Sequence, residues 1–271
     1  MAPVVRIGNL VWRGSAPATG TRAVPDETPV AMVYDGGAHA VMMATPADLE
    51  DFAVGFSLSE GIVASAGDIR AIEVVEQQEG VELRMWLAGG TGAALAERRR
   101  RIVGPTGCGL CGIASLAEAL RPVPRVGEGI RVSPAGIVAA IDSLAPLQAL
   151  NRETHAVHAA AFWWPGEGVS HVREDVGRHN ALDKLAGALA RAGIDGASGV
   201  LLLTSRVSVE MVQKAATAGI AILAAVSAPT ALAIRTAEAA GITLVAVARR
   251  DGFEVFTRPG RIAAESVADV A

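Results

Sequence analysis

The run Gly199-Val-Leu-Leu-Leu-Thr204 opens a stretch in which apolar strands alternate with helices up to residue 257. A helical pattern at 208–218, an apolar run at 220–226, a second helical pattern at 230–240 and another apolar run at 242–248 follow it in order. Apolar runs without alternation are typical of strands buried on both faces, and helices between them favour parallel pairing. This half of the chain therefore predicts an α/β domain with a mostly parallel sheet.

A polar cluster lies just upstream of this stretch. A helix at about 134–150 and two strands within 157–173 precede it, and a helix at 181–192 follows it. The cluster, Glu174-Asp-Val-Gly-Arg-His-Asn180, is the densest group of polar residues in the chain. His179 within this cluster has two interpretations. It is a structural histidine, or it has a functional role as a proton carrier or a phosphate ligand.

The N-terminal half predicts a smaller α+β domain. Residues 1–26 show no regular pattern and are predicted to be an irregular leader. Thr45-Pro46 predicts a helix start, with Thr45 as the cap and Gly61 at the end. Strands are predicted on both sides of this helix, at 29–34, 39–43, 69–75 and 81–87. We therefore divide the chain into a small domain, 1–103, and a larger α/β domain, 104–271.

Composition restricts the classes of function. The 271 residues are 51% hydrophobic and 19% charged, which predicts a sizeable core, and the net charge of −4 disfavours nonspecific nucleic-acid binding. Two cysteines are too few for a disulfide framework, and residues 1–13 lack the apolar core of a signal peptide, so we expect a cytoplasmic protein. The uncharged run 215–234 is interrupted by Gly219 and Pro229, so no membrane span is predicted.

Both cysteines lie in one glycine-rich loop, Gly104-Pro-Thr-Gly-Cys108-Gly-Leu-Cys111-Gly112, which leads into a predicted helix. A helix N-terminus favours thiolate over thiol, and the glycines keep the sulfurs accessible. A CxxC pair is typical of a zinc site, a dithiol redox centre or a sulfur carrier. No second CxxC completes a zinc site. His155 and His158 could join in, although on a strand they would face opposite sides, and a site shared between two protomers is a further alternative. The run Arg98–Arg101 before the loop is either a solvated linker or a basic arm that guides an anionic ligand.

The ends of the predicted parallel strands suggest where a ligand binds. Ligands of open α/β sheets bind beyond the carboxyl ends of the strands, where helix N-termini present free amides. The residues at those ends are Thr204-Ser205-Arg206, Ser227–Thr230 and Arg249-Arg250. Hydroxyls, helix starts and arginines together predict an anion or nucleotide site, although neither a P-loop nor a Rossmann glycine motif is present.

Several longer segments resemble the FdhD/NarQ family of formate dehydrogenase accessory proteins. The resemblance covers about residues 25–257. The matching segments are Met42–Phe52 with Gly55–Gly61, Thr106–Gly112, Arg173–Lys184, Ser205–Lys214 and Ala225–Ala231. The resemblance implies a cytidine-deaminase-like α/β domain after a smaller domain, in a homodimer. The deaminase zinc signature is absent from the sequence, so the fold would serve other chemistry.

The resemblance also implies a reaction. Sulfur from a cysteine desulfurase would be carried as a cysteine persulfide and transferred to the molybdenum bis(molybdopterin guanine dinucleotide) cofactor, for use by formate dehydrogenase. By position, Cys111 is closer to the helix amides and Cys108 is more accessible. The persulfide cysteine of the family falls on Cys108, so we expect Cys108 to carry the sulfur and Cys111 to assist.

The cofactor-binding stretch of the family falls on Val247-Ala248-Arg249-Arg250-Asp251-Gly252. Here Val247 and the arginine pair replace the aromatic and glycine-rich character usual in the family. The cofactor would be bound as a substrate, with GDP as a fragment of it and no metal belonging to the protein. The other predicted contacts are Ser205, Arg206, Ser227, Thr230 and His179. A thiol–disulfide oxidoreductase and a noncatalytic cofactor chaperone are the alternatives.

Overall fold

The computed structural model describes residues 1–89 and 123–263. In these ranges it forms twelve strands and six α-helices. The strands are β1 (Val4–Arg13), β2 (Ala16–Pro25), β3 (Thr28–Tyr34), β4 (Gly37–Ala44), β5 (Ile69–Gln77), β6 (Gly80–Leu87), β7 (His158–Trp164), β8 (Gly168–Asp175), β9 (Val200–Leu203), β10 (Ile222–Ala225), β11 (Thr243–Arg249) and β12 (Gly252–Thr257). The helices are α1 (Leu49–Ser59), α2 (Pro134–Leu144), α3 (Ala149–Thr154), α4 (Arg178–Ala192), α5 (Val209–Thr217) and α6 (Ala231–Ala240).

The larger sheet is mixed rather than mostly parallel. Its strand order is β12-β11-β10-β9-β7-β8, and only β9, β10 and β11 pair in parallel. The pairs β7–β8 and β11–β12 are antiparallel because short turns join them, whereas a parallel pair needs a long crossover. Helices cover both faces of the sheet: α4, α5 and α6 pack on one face and α2 on the other. The α/β class is thus confirmed, and the cytidine-deaminase-like detail stays a prediction.

The smaller sheet has the order β4-β3-β6-β5 and packs one face against α1. Phe52 and Phe56 of α1 are buried against Met32 and Leu83 of the strands. This arrangement of two strands, a helix and two strands is the one predicted from the sequence. We call the described residues before the gap the N-terminal unit and those after it the C-terminal unit. The predicted boundary at 103/104 lies outside the described residues.

The prediction of an irregular leader at residues 1–26 is wrong. These residues form the antiparallel hairpin β1–β2, in register from Val4 opposite Pro25 to Arg13 opposite Ala16. Most of its residues on both faces are exposed. A strand with two exposed faces lacks the alternation of apolar and polar residues by which a half-buried strand is recognised.

Two helix boundaries also differ from the prediction. The first helix begins at Leu49, after Asp48, and Thr45 does not cap it because Thr45 is hydrogen-bonded to the C-terminal unit. The helix predicted at 134–150 is divided into α2 and α3, since Pro146 lies between them and cannot continue a helical hydrogen-bond ladder.

The two units meet where α1 crosses α4. A Cβ atom added to Gly55 would lie 1.7 Å from the carbonyl oxygen of Asp183, and one added to Gly187 would lie 1.9 Å from that of Asp51. The helix backbones are therefore in direct contact, which any side chain at these two positions would prevent. Within the described part of the chain, no helix is both long and apolar enough to cross a membrane.

Candidate functional site

Polar residues gather at one edge of the six-stranded sheet. The parallel strands β9, β10 and β11 end there. Strand β7 is antiparallel to both β8 and β9, so β8 runs in the same direction as β9 and ends at the same edge. We call this the carboxyl edge and define it by residues 175–180, 204–208, 226–230 and 247–251. Three helices, α4, α5 and α6, begin at this edge on the same face of the sheet. This is the place where open α/β sheets bind ligands.

A buried ion pair joins the two units at this edge. The side chains of Lys184 and Asp175 are both 0% exposed, and Lys184 Nζ lies 2.6 Å from Asp175 Oδ2. Lys184 Nζ also donates to the carbonyl oxygen of Thr45 at 2.8 Å, and the Thr45 amide donates to Asp175 at 3.0 Å. Asn180 Nδ2 donates to Asp175 and to the carbonyl oxygen of Met43. Every polar group of this pair is satisfied, as burial of charge requires.

A second buried ion pair joins α4 to α5, and its carboxylate belongs to Asp183, the residue directly before Lys184. Lys214 Nζ of α5 donates to Asp183 of α4 at 2.8 Å and to Ser59 Oγ of α1 at 2.8 Å. Burial by itself lowers the pKa of Lys214, but the charges of Asp183 and Glu60 and the hydrogen bonds to both carboxylates together outweigh it and hold that pKa above its usual value. Lys184 and Lys214 are the only two lysines in the sequence, and both are buried.

Two further carboxylates fix neighbouring elements. Asp51 of α1 accepts from Arg173 of β8 and from Arg191 of α4, so it ties α1 to the C-terminal unit. Glu174 accepts at 2.8 Å from each of two backbone amides in the first turn of α3. The predicted polar cluster is therefore largely structural: Glu174, Asp175 and Asn180 hold the fold together.

His179 belongs to the same cluster but makes no bond of this kind among the described residues. Its Nε2 atom is buried and has no hydrogen-bond partner within the described residues. Burial, together with the charges of Arg178 and Lys214, lowers the pKa of His179 to about 4. His179 is therefore a neutral imidazole near pH 7. Burial and Arg178 also lower the pKa of His158.

The structure brings four of the predicted contacts together on the face that carries α4 to α6. Ser205 and Arg206 follow β9, and Ser227 and Thr230 follow β10. The two loops touch, since Val207 and Pro229 form a parallel bridge. Ser205 is buried and Arg206 is exposed, so the arginine is the group that a ligand in solution can meet. Thr230 has the local role of capping α6, because its hydroxyl accepts from the amide of Ala233.

The third predicted segment, Val247-Ala248-Arg249-Arg250-Asp251-Gly252, is bent at its start. Val247 has φ +53°, in the left-handed region that β-branched residues avoid, and the pairing with β12 shifts register there. Arg249 turns back and donates to the carbonyl oxygen of Val226 at the end of β10. Arg250 instead donates to Asp142 of α2 at 3.1 Å, so it points to the opposite face. The two arginines therefore do not converge on one ligand.

Other predicted features lie outside the described residues. Cys108, Cys111 and the run Arg98–Arg101 fall in the gap between 89 and 123, so their proposed roles stay predictions. In the two described ranges, no group of three or more His, Cys, Asp or Glu side chains lies close enough to hold a metal ion.

Sequence reasoning missed two buried polar groups at the same edge. Ser208 Oγ and Glu210 Oε2, at the start of α5, have no hydrogen-bond partner among the described residues, and neither has Arg178 Nε. The signal was available, since Ser208 and Glu210 lie within the segment Ser205–Lys214 on which the family resemblance rests.

Buried ion pairs join an α+β unit to an α/β unit, and three helices begin at one polar edge of the larger sheet, where α/β folds commonly bind their ligands. The FdhD/NarQ family model matches residues 25–263. The chain is 57% identical over 259 residues to the sulfur carrier protein FdhD of Agrobacterium fabrum and 53% identical over 257 residues to that of Brucella abortus. These alignments cover 95% of both chains in the first case, and 94% of this chain and 96% of its relative in the second. The chain belongs to the FdhD/NarQ family.

A solved structure agrees with the fold. A crystal structure of a protein described as a formate dehydrogenase accessory protein, from Desulfotalea psychrophila, superposes with a TM-score of 0.74. The two chains are 25% identical, and the match covers 96% of this chain and 99% of the other. The similarity therefore extends over both units rather than over one of them.

Proposed function

We propose that this protein is a sulfur carrier that supports formate dehydrogenase. The observation that carries the proposal is the similarity, over nearly the full length of both chains, to relatives named sulfur carrier protein FdhD. The sequence supports the sulfur chemistry, since both cysteines lie in a glycine-rich segment before a predicted helix, and such a setting favours an accessible thiolate. The carboxyl edge supplies hydroxyls, helix starts and Arg206 for a phosphate-bearing ligand.

In the proposed reaction, the thiolate of Cys108 attacks the outer sulfur of a persulfide on a cysteine desulfurase. A sulfur–sulfur bond forms at Cys108 as the one on the donor breaks, and the donor leaves as a thiolate, so no external oxidant is needed. The thiolate of Cys111, or a free thiol in its place, then attacks Cys108 Sγ, so that the persulfide bond breaks and a disulfide forms. The outer sulfur leaves as sulfide and passes to the molybdenum bis(molybdopterin guanine dinucleotide) cofactor, which we treat as substrate, and a cellular thiol reduces the disulfide afterwards. Cys111 assists the delivery, and the protein acts as a homodimer in the cytoplasm.

The experiment that tests this proposal is intact-mass spectrometry after incubation with a cysteine desulfurase and cysteine. We expect an adduct of about 32 Da, the mass of one sulfur atom, that thiol reductants remove. Cys108→Ala should abolish the adduct, whereas Cys111→Ala should still accept sulfur and lose part of the delivery. An adduct on Cys111 in the wild type, with Cys108→Ala still active, would reverse the assignment.

Two other outcomes would favour a different function. Disulfide exchange with model substrates, without any sulfur adduct, would indicate a thiol–disulfide oxidoreductase. Full rescue of formate dehydrogenase activity by a variant that lacks both cysteines would indicate a noncatalytic cofactor chaperone.

Binding of the cofactor is tested separately by calorimetry with GDP. We expect the affinity to fall as salt rises, and to fall on Arg206→Ala by the free energy of a charged hydrogen bond, about 1.5–3 kcal/mol. Unchanged affinity in that variant would remove Arg206 from the site.

A further inference from the structure

The hairpin β1–β2 exposes apolar side chains on both of its faces. We call this hairpin, residues 4–25, the arm. Leu10 and Trp12 lie on one face of the arm and Ile7 lies on the other, because side chains alternate along a strand. Trp12 is 65% exposed, and Ile7 and Leu10 are exposed as well. A two-stranded hairpin is at best marginally stable alone in water, so an arm with this composition needs a second surface to cover it.

The base of the arm is fixed to the C-terminal unit. Arg22 of β2 donates to the carbonyl oxygen of Thr154 in α3 at 3.2 Å, and Arg6 Nη2 of β1 lies 3.9 Å from Glu153 Oε1 of the same helix. Only residues 26–27 separate β2 from β3. The arm therefore cannot fold back onto the smaller sheet of its own chain without breaking these contacts.

The smaller sheet exposes apolar side chains on the face turned away from α1. We call this the outer face and define it by the residues that alternate with those buried against α1: Pro29, Ala31, Val41, Met43, Glu73, Glu82, Arg84 and Trp86. With the arm of the same chain in place, Val41 is 62% exposed, and Met43 and Trp86 are exposed as well. The outer face therefore needs cover as the arm does.

The arm and the outer face hold most of the large apolar side chains that the described residues expose. Ten such side chains are exposed in the two described ranges, and eight of them belong to the N-terminal unit, although it is the smaller unit. Six lie on the arm or on the outer face: Ile7, Leu10, Trp12, Val41, Met43 and Trp86. Two surfaces of one chain that both need cover can cover each other in a pair of copies.

The charges of the two surfaces are complementary. Residues 1–25 contain three arginines and no acidic residue. On the outer face, Arg84 pairs with both Glu73 and Glu82, so the carboxylates outnumber the arginine. A second arm would repel the arm through its arginines, whereas the carboxylates of the outer face attract it. Charge therefore favours contact between an arm and an outer face over contact between two arms.

We propose that the arm of one copy of this chain packs on the outer face of a second copy, and that the two copies exchange arms around a two-fold axis. In this closed dimer each copy gives one arm and receives one, so both apolar surfaces are covered. The arm and the outer face together supply about the 20–30 residues that each side of a stable interface has. The inference rests on the homodimer of the proposed function and locates its interface.

The test is analytical ultracentrifugation of the full chain over a range of concentrations. The wild type should sediment as a dimer. Trp12→Glu damages the arm and Val41→Glu damages the outer face, and each should raise the dimer dissociation constant by at least about 30-fold, the effect of losing one buried anchor residue. Leu147→Glu is the control, because Leu147 is an exposed apolar residue of the C-terminal unit, and it should leave that constant within about threefold of the wild-type value.

A mixture of the two damaged variants tests whether the arm and the outer face contact each other. A mixed dimer keeps one intact contact, between the arm of the Val41→Glu copy and the outer face of the Trp12→Glu copy. The mixture should therefore form dimers at concentrations at which each variant alone is monomeric.

A monomeric wild type, a dimer that either variant leaves intact, or a mixture that stays monomeric would overturn the proposal. Both substituted positions are exposed, so the variants should keep the circular dichroism spectrum of the wild type. If one variant does not fold, Leu10→Glu or Met43→Glu takes its place. The sulfur adduct at Cys108 is measured by mass on a monomer or a dimer alike, so failure of this inference is distinguishable from failure of the sulfur-carrier function.

Discussion

Replacement of Lys184 by methionine should separate the contribution of its charge from that of its packing. Methionine keeps an unbranched apolar chain of similar length over the ring of Phe52, 5.8 Å from Lys184 Nζ. The charge is lost, so the carboxylate of Asp175 stays buried without its counter-ion, and the carbonyl oxygen of Thr45 loses its donor. Removal of one partner of a buried pair costs about 3–5 kcal/mol. We expect about 3 kcal/mol, since Asp175 keeps hydrogen bonds from the amides of Thr45 and Gly177.

The assay is denaturant unfolding at pH 7, with the melting temperature as a second measure. For a chain of this size, 3 kcal/mol corresponds to a fall of about 6–12 °C. The control is Glu238→Gln, which breaks an exposed ion pair and should cost under about 1 kcal/mol. Addition of Asp175→Asn to Lys184→Met removes the uncompensated charge, so the double variant should be at least as stable as Lys184→Met. A loss for Lys184→Met no larger than that of the control would refute the argument.

Three other perturbations have defined expectations. Gly187→Ala forces the backbones of α1 and α4 apart, so it should lower the free energy of unfolding by about 3 kcal/mol or more in a denaturant titration. Gly8→Ala is the control, because Gly8 has open space around it, and it should change the same free energy by less than about 1 kcal/mol. Val247→Gly relieves the positive φ, so its free energy of unfolding should stay within about 1 kcal/mol of the wild-type value. Val245 is fully buried in β11, and Val245→Gly should lower that free energy by about 3 kcal/mol or more. Equal losses in the two variants would show that the backbone at Val247 is not strained. His179 has a pKa of about 4 in the folded chain and about 6.5 in the unfolded chain, so the unfolded chain binds the proton first as the pH falls. Through this residue, the free energy of unfolding should therefore decrease by at most about 3 kcal/mol between pH 6.5 and pH 4. The pH dependence of unfolding should be shallower in His179→Gln, and an identical slope in both proteins would contradict the assignment.

The elements of the C-terminal unit were predictable because their sequences carry the information locally. The helix predicted at 208–218 is α5, Val209–Thr217, and the one predicted at 230–240 is α6, Ala231–Ala240. The parallel strands were predictable from their unbroken apolar runs. The antiparallel pairing of β7 with β9 was not, since both strands are buried on both faces, and such a strand has the same composition in either orientation.

Long-range pairing explains what local patterns missed at the site. Thr45 has the sequence context of a helix cap, but its amide pairs with Asp175, 130 residues away, and this partner changes its role. Arg250 looked like a partner of Arg249, yet it lies in the turn after β11, and its side chain reaches Asp142 of α2. The polar cluster around His179 was identified as important, but only the structure separates the residues that hold the units together from the atoms left without partners.

The burial of both lysines has a practical meaning for chemical labelling. Both lysine amines are buried in the folded chain, so a reagent that acylates lysine should leave Lys184 and Lys214 unmodified in the native protein. A motion that separates α1 from α4 exposes a lysine amine, so the fraction of molecules that carry a tag measures the fraction that have opened. Conjugation to lysine, whether by a cross-linker or by a cellular acetyl donor, is accordingly limited by the rate at which the two units part.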